Sequence, residues 1–214
     1  AKALRAFLRA DPDVIMVGEI RDHETAEMGV EASLTGHLVL STLHTNSAPE
    51  TVTRLLDMGM DPFNFADALL VVLAQRLVRR LCTACRVSEP ASQAYLDDLI
   101  NEYMFVFPEG DQHVAPEAVL SEWQHRLGRD GVLMSHSSKG CPQCNNTGYK
   151  GRAGLHELLS VSREIRRMIQ TGANAEMLLN QSLKEGMRTL RQDGIEKVLS
   201  GITSMEEVRA SSNI

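Results

Sequence analysis

The sequence predicts an α/β fold with a metal-pinned excursion and a helical tail. An uninterrupted apolar run at Val14–Val17 is followed by a capped helix and a second apolar run at His37–His44, the order of a βαβ unit. Two Cys-x-x-Cys pairs, Cys82/Cys85 and Cys141/Cys144, contain every cysteine of the chain. Beyond the second pair, polar caps recur at the spacing of short helices.

The elements follow in order. Leu4, Phe7 and Leu8 give a short helical face, which Asp11-Pro12-Asp13 breaks. The β-branched run Val14–Val17 then suggests a strand covered on both faces. It ends at Gly18-Glu19, after which Asp22 can cap a helix whose first turn carries Glu24 and Glu27, closed by Gly36. Ser47 with Glu50 reads as a capping box for a helix reaching Met58. Asp61-Pro62 starts another, expected to run through Leu81. Residues 86–140 carry turn formers and two amphipathic stretches, 95–105 and 116–127, with Trp123 the only tryptophan. After Cys144, a turn-rich stretch leads into an expected strand at Ala153–Leu159. Helices are expected from near Ser162, Ala173 and Met187, and Ser204 with Glu207 offers a last capping box. These divisions predict three parts: 1–81, 82–150 with its insertion 86–140, and 151–214.

Composition narrows the function classes. The chain has 214 residues, 43% apolar and 23% charged, as in ordinary globular proteins. Its net charge of −6 argues against a nucleic-acid surface as the main partner. The longest nearly apolar stretch, 63–74, is interrupted by Asn64 and Asp67 and falls short of the roughly 18 residues a spanning helix requires. The opening Ala1-Lys2-Ala3-Leu4-Arg5 is neither a start methionine nor a signal peptide, so the chain reads as a piece of a longer protein.

Two residues between sulfurs let both thiolates of a tight turn face one ion, and two such turns complete a tetrahedral zinc site. The 86–140 spacer is far longer than the roughly 15–20 residues of a compact zinc ribbon, so it must hold structure of its own. The bland reading is four reduced thiols. With four thiolates filling the sphere, a bound metal would be structural.

The chemistry is expected at the end of the first strand. A buried parallel strand ending in Gly18-Glu19 puts a carboxylate at the carboxyl edge of the sheet, where nucleotides bind in open α/β folds. Glu19 there can orient and deprotonate a water aimed at a γ-phosphate, or simply serve helix entry. Arg21 can pair with Glu19, with phosphate or across a subunit boundary, or stay solvated. His44 lies at the far end of the second strand. His37, an odd number of positions earlier, falls on the opposite face of a regular strand and reads as a packing or interface group. Arg76, Arg79 and Arg80 can form a solvated helix face.

Five blocks in sequence resemble the type II secretion and type IV pilus assembly ATPases. They are DPDVIMVGEIRD at Asp11–Asp22, TGHLVLSTLHTN at Thr35–Asn46, AQRLVRRLC at Ala74–Cys82, GRAGLHE at Gly151–Glu157 and GMRTLRQDG at Gly186–Gly194. In that family the first is the Walker B segment and the second the histidine box. The resemblance covers the chain except 86–140. It implies the C-terminal part of a RecA-like P-loop ATPase domain, with Glu19 the catalytic carboxylate and His44 near the γ-phosphate. It further implies Arg21, Gln75 and Arg76 near the nucleotide, ATP and Mg2+ as ligands of the parent, and structural Zn2+ on Cys82, Cys85, Cys141 and Cys144. The implied parent is a cytoplasmic homohexamer, peripheral at the inner membrane on a platform protein and other assembly components, with no span of its own. Its ATP-driven movements would power assembly of pilin or pseudopilin subunits. The cysteine domain marks the secretion and pilus-extension branch, since retraction motors generally lack it.

No Gly-x-x-x-x-Gly-Lys-[Ser/Thr] loop is present, so the backbone amides and lysine that cradle phosphates are missing. The family's acidic segment before the Walker B strand is missing too. The chain alone is therefore expected to have negligible ATPase activity. A different class competes: CPQCNNTG at Cys141–Gly148 resembles one Cys-x-x-Cys-x-Gly-x-Gly repeat of a chaperone zinc domain, with Asn146 where glycine is expected. That reading is a zinc-dependent protein-binding module. It is opposed by Arg86-Val87-Ser88-Glu89 after the first pair, which lacks the repeat's glycines. A nucleic-acid-binding ribbon is disfavoured by the acidic balance and single tryptophan.

Overall fold

The computed structural model describes residues 12–108 and 114–212, so the helical face expected at Leu4, Phe7 and Leu8 lies outside the described residues. The chain divides into two compact units, one of residues up to Ala74 with Leu158–Met187, the other of Gln75–Glu157 with Arg188 onward.

The first unit opens with β1 (Val14–Val17), α1 (His23–Leu34) and β2 (Leu38–Ser41). β1 and β2 pair in parallel with Val14 opposite Leu38 and Val17 opposite Ser41, completing the expected βαβ unit. Strand alternation puts Ile15, Val17 and Val39 on one face, where they pack against Met28 and Ala32 of α1. The expectation of cover on both faces is not met among the described residues. Val14, Met16, Leu38 and Leu40 are exposed, because one helix can shield only one face of a two-stranded ladder. β2 also stops short of His44. The odd-offset argument for His37 and His44 therefore lapses, and His37 instead places its Nδ1 3.0 Å from the Ala32 carbonyl at the end of α1.

α2 (Ala48–Asp57) starts where Ser47 accepts the Glu50 amide, while the Glu50 carboxylate reaches back to the Asn46 amide. α3 (Pro62–Ala68) is capped by Asp61, but it does not continue to Leu81. Leu69 turns to an extended backbone and β3 (Val71–Leu81) follows. Val71, Val72 and Val78 favour a pleated chain, and Val71 and Leu73 alternate with the more buried Val72 and Ala74. The decisive partner is distant in sequence: β3 is hydrogen-bonded to the expected strand, β6 (Tyr149–Ser160).

In the second unit, β4 (Arg86–Pro90) pairs antiparallel with β5 (Met134–Ser138), and α4 (Gln93–Met104) and α5 (Pro116–Leu127) match the two amphipathic stretches. α6 (Arg163–Gln170) and α7 (Ala175–Lys184) belong to the first unit. There Ile165, Ile169 and Leu178 pack with Val52, Leu55 and Phe65. α8 (Leu190–Leu199) and α9 (Met205–Ser211) belong to the second.

The helices of the 86–140 segment do not bury a private core. Leu99, Tyr103 and Trp123 pack with Ile195 and Leu199 of α8 and Val208 of α9, and Tyr103 meets Trp123 edge-on at 5.1 Å. Among the described residues no helix is long and apolar enough to cross a membrane.

Candidate functional site

The ends of β1 and β2 are laced together just beyond their last paired residues. The Ile20 amide donates to the Thr42 carbonyl at 3.0 Å, and the Thr42 hydroxyl donates to the Gly18 carbonyl at 2.5 Å. This brings the turn after β1 beside the chain leaving β2, at the carboxyl ends of two parallel strands. Glu19 stands there with one carboxylate oxygen 2.5 Å from Nη2 of Arg21 and the other 3.3 Å from Nε2 of His44. The hydrogen bond from Arg21 holds the Glu19 carboxyl below the usual carboxylate range against partial desolvation, aided by the charges of Arg21 and His44. Near neutral pH Glu19 is an ionised carboxylate oriented by these two partners. Helix entry is served by another residue, since Asp22 accepts the Thr25 amide at 2.8 Å.

Gln75 and Arg76 lie on β3 in the second unit, both exposed. Because β3 is a strand, Arg76, Arg79 and Arg80 do not form the solvated helix face considered from sequence. Arg79 has partners of its own: it pairs with Glu207 at 2.6 Å and stacks over the Tyr149 ring at 4.2 Å.

The same unit gathers the cysteines. Cys82 follows β3, where its amide donates to the Gly148 carbonyl; Cys141 precedes a single 3-10 turn, Pro142–Cys144, and Cys144 ends it. Asn145 and Asn146 after it are both left-handed, a conformation asparagine tolerates, which explains how Asn146 stands where glycine was expected. All four Sγ atoms lie within 4.8 Å of one another. Cys82–Cys141, Cys85–Cys144 and Cys141–Cys144 are separated by 3.9, 3.9 and 3.8 Å. A tetrahedron of sulfurs at the usual Zn–S distance of about 2.3 Å has edges of about 3.8 Å. The geometry thus fits a metal ion held by four thiolates.

The cluster's electrostatics favour anionic sulfur at one corner. Burial opposes a thiolate at Cys144, but the Cys141 and Gly148 amides, at 3.2 and 3.3 Å from its sulfur, and the neighbouring thiols bring it down to about 6. Burial and the adjacent thiols push Cys85 up to about 11.

Sequence reading did not find the Thr42 tie or the engagement of Arg79. Neither leaves a spacing signal, because each depends on strands and loops meeting in space.

Comparison with known proteins places the chain. The family model described as Type II/IV secretion system protein matches residues 1–210. "Type IV pilus assembly ATPase PilB" of Thermus thermophilus is 48% identical over 210 residues, 98% of this chain and 21% of that protein. "Type II secretion system protein E" of Klebsiella pneumoniae is 49% identical over 208 residues, 97% of this chain and 36% of that protein. The chain thus spans between a fifth and two fifths of these relatives. Among solved structures, the pilus retraction motor PilT with bound ADP superposes with a TM-score of 0.61 at 25% identity, covering 100% of this chain and 43% of that one. The Legionella pneumophila ATPase DotB superposes at 0.57 with 20% identity, covering 97% and 40%. The fold is accordingly the expected α/β, RecA-like one with a clustered tetracysteine segment. The chain belongs to the type II/IV secretion system protein family.

Proposed function

We propose that this chain is the C-terminal section of a hexameric ATPase that powers assembly of a type II secretion pseudopilus or a type IV pilus. The observation that carries the reading is the ionised Glu19 held between Arg21 and His44 at the carboxyl ends of β1 and β2. A carboxylate so placed can orient a water for attack on a γ-phosphate and take its proton. His44 can hydrogen-bond the phosphate or that water, so it reports whether the γ-phosphate is present. Arg21 lowers the Glu19 pKa through its hydrogen bond and offers a second cation to phosphate oxygens. Gln75 and Arg76 are assigned to nucleotide contact by the resemblance of Ala74–Cys82 to the family's segment. Mg2+ bound with ATP would neutralise charge on the phosphates.

Cys82, Cys85, Cys141 and Cys144 would hold Zn2+ as a structural ion, since four thiolates leave no position open to water or substrate. The reading places the full-length protein in the cytoplasm, docked on an inner-membrane platform protein. The 214-residue chain by itself is inactive in this account, as it holds no phosphate-binding loop.

The test is ATP hydrolysis by the full-length protein and by its Glu19→Gln variant. The variant should retain ATP binding and lose turnover by roughly a hundredfold or more. Turnover that survives the substitution would return the chain to the competing reading, a zinc-dependent protein-binding module.

A further inference from the structure

Gly154 on β6 leaves a side chain's room open above the strand, and its backbone is not left-handed. A methyl group there would lie 2.6 and 2.7 Å from Nε2 and Cε1 of His156 and 3.1 Å from the side-chain nitrogen of Gln75. The imidazole of His156 is thus folded back over the bare backbone of Gly154, beside the Gln75 amide on the paired strand. Strand alternation makes this an outward face, because Leu155 and Glu157 on either side of His156 are buried. The backbone beneath it is anchored. The His156 amide donates to Asp193 at 2.8 Å, Leu155 packs with Val78 and Leu190, and Glu157 accepts the Leu190 amide at 3.3 Å. The result is a fixed strand carrying an exposed ring that shares one small space with Gln75.

We propose that His156 is a positioning residue for Gln75. Seated in the space that Gly154 leaves, the imidazole limits the rotamers of the Gln75 amide and presents it for nucleotide contact. An exposed glutamine otherwise loses the freedom of three side-chain torsions on binding; a neighbour that restricts them beforehand lowers that cost. A ring nitrogen can also complement the amide's donors. The inference rests on the assignment of Gln75 to nucleotide contact.

The experiment measures KM for ATP and kcat in the full-length protein for Gln75→Ala, His156→Ala, His156→Asn, Gly154→Ala and the double variant Gln75→Ala/His156→Ala. His156→Ala should raise KM roughly three- to tenfold with a smaller change in kcat, as expected when preorganised binding is lost. Gly154→Ala should act in the same direction by displacing the ring, and His156→Asn should recover part of the loss. In the Gln75→Ala background, His156→Ala should add nothing. An unchanged KM in both His156→Ala and Gly154→Ala, with KM raised in Gln75→Ala, overturns the role of His156 and leaves Gln75 in place. An unchanged KM in Gln75→Ala removes the nucleotide assignment and this inference with it. Additive effects in the double variant overturn positioning through Gln75. Should Gly154→Ala lower Tm, His156→Ala carries the test alone, because its side chain is exposed.

Discussion

The sulfur of Cys144 lies 3.9 Å from that of Cys85, 59 positions away in the chain, and the two knuckles they belong to close on one point. One zinc ion per chain is therefore expected by metal analysis of purified protein. Cys144→Ser should lose it. Chelation should destabilise the wild type by ~4 kcal/mol when zinc is held about a thousandfold above its Kd, and readdition should restore Tm. Sub-stoichiometric metal together with four freely reactive thiols would sink the S4 site.

Arg21 should set the acid limit of the proposed chemistry. The folded pKa of Glu19 lies below its ordinary value, chiefly through the Arg21 hydrogen bond, so its ionised form persists as pH falls and is lost only on titration through that lowered value. Arg21→Ala should move the acidic limb of the kcat/KM profile of the full-length protein to higher pH. An unmoved limb would mean that another group governs it.

A charged cluster fastens α4 to α8 and α9. Buried Arg191 meets Glu102 at 2.6 Å and the Ser212 hydroxyl and carbonyl at 2.9 and 2.6 Å, while Arg209 joins the same Glu102. Burial alone would raise the Glu102 pKa, but the hydrogen bonds and charges of Arg209 and Arg191 bring it below the usual value. Its folded pKa is thus lower than its unfolded one. The associated stability is present above the unfolded carboxylate pKa and is lost as pH falls through the lowered folded pKa. Glu102→Gln should cost on the order of 2–3 kcal/mol at neutral pH and flatten the acid side of the stability profile. Unfolding can be followed through the fluorescence of Trp123, which packs in the adjoining core.

Gly194 lets α8 and α9 approach. A methyl group on it would stand 2.5 and 2.9 Å from the two Cγ atoms of Val208, a branched side chain with little room to yield. Overpacking of about 1–3 kcal/mol should outweigh the gain in helix propensity of roughly 1 kcal/mol, so Gly194→Ala should lower Tm. Adding Val208→Ala should cost less than the sum of the two single changes. Strict additivity in the melts would show that the close approach is not the cause.

Local signals made much of this architecture legible. Asp22, Ser47, Asp61, Ser162 and Ser204 all cap the helices they were expected to start, because an N-cap bond closes within three residues of its acceptor. The later helices began slightly beyond expectation, at Ala175 and Leu190, where Asn174 and Thr189 supply the caps. β3 stands where a continued helix was expected, because Asp61-Pro62 is a sound start signal whose stopping point is not local. The apolar residues beyond Ala68 suit helix or strand, and pairing with β6 decides between them.

By itself the sequence determined the βαβ order of β1, α1 and β2, the two knuckles, and the ordered blocks that resemble the secretion ATPases, all written in residues near one another along the chain. Only the tertiary structure decided that Glu19 lies between Arg21 and His44, that α4 and α5 share a core with α8 and α9, and that His156 rests over Gly154 beside Gln75. The physical reason is range. Caps and knuckles form within a turn, whereas ion pairs across strand ends and side-chain packing form only when distant segments are already held together.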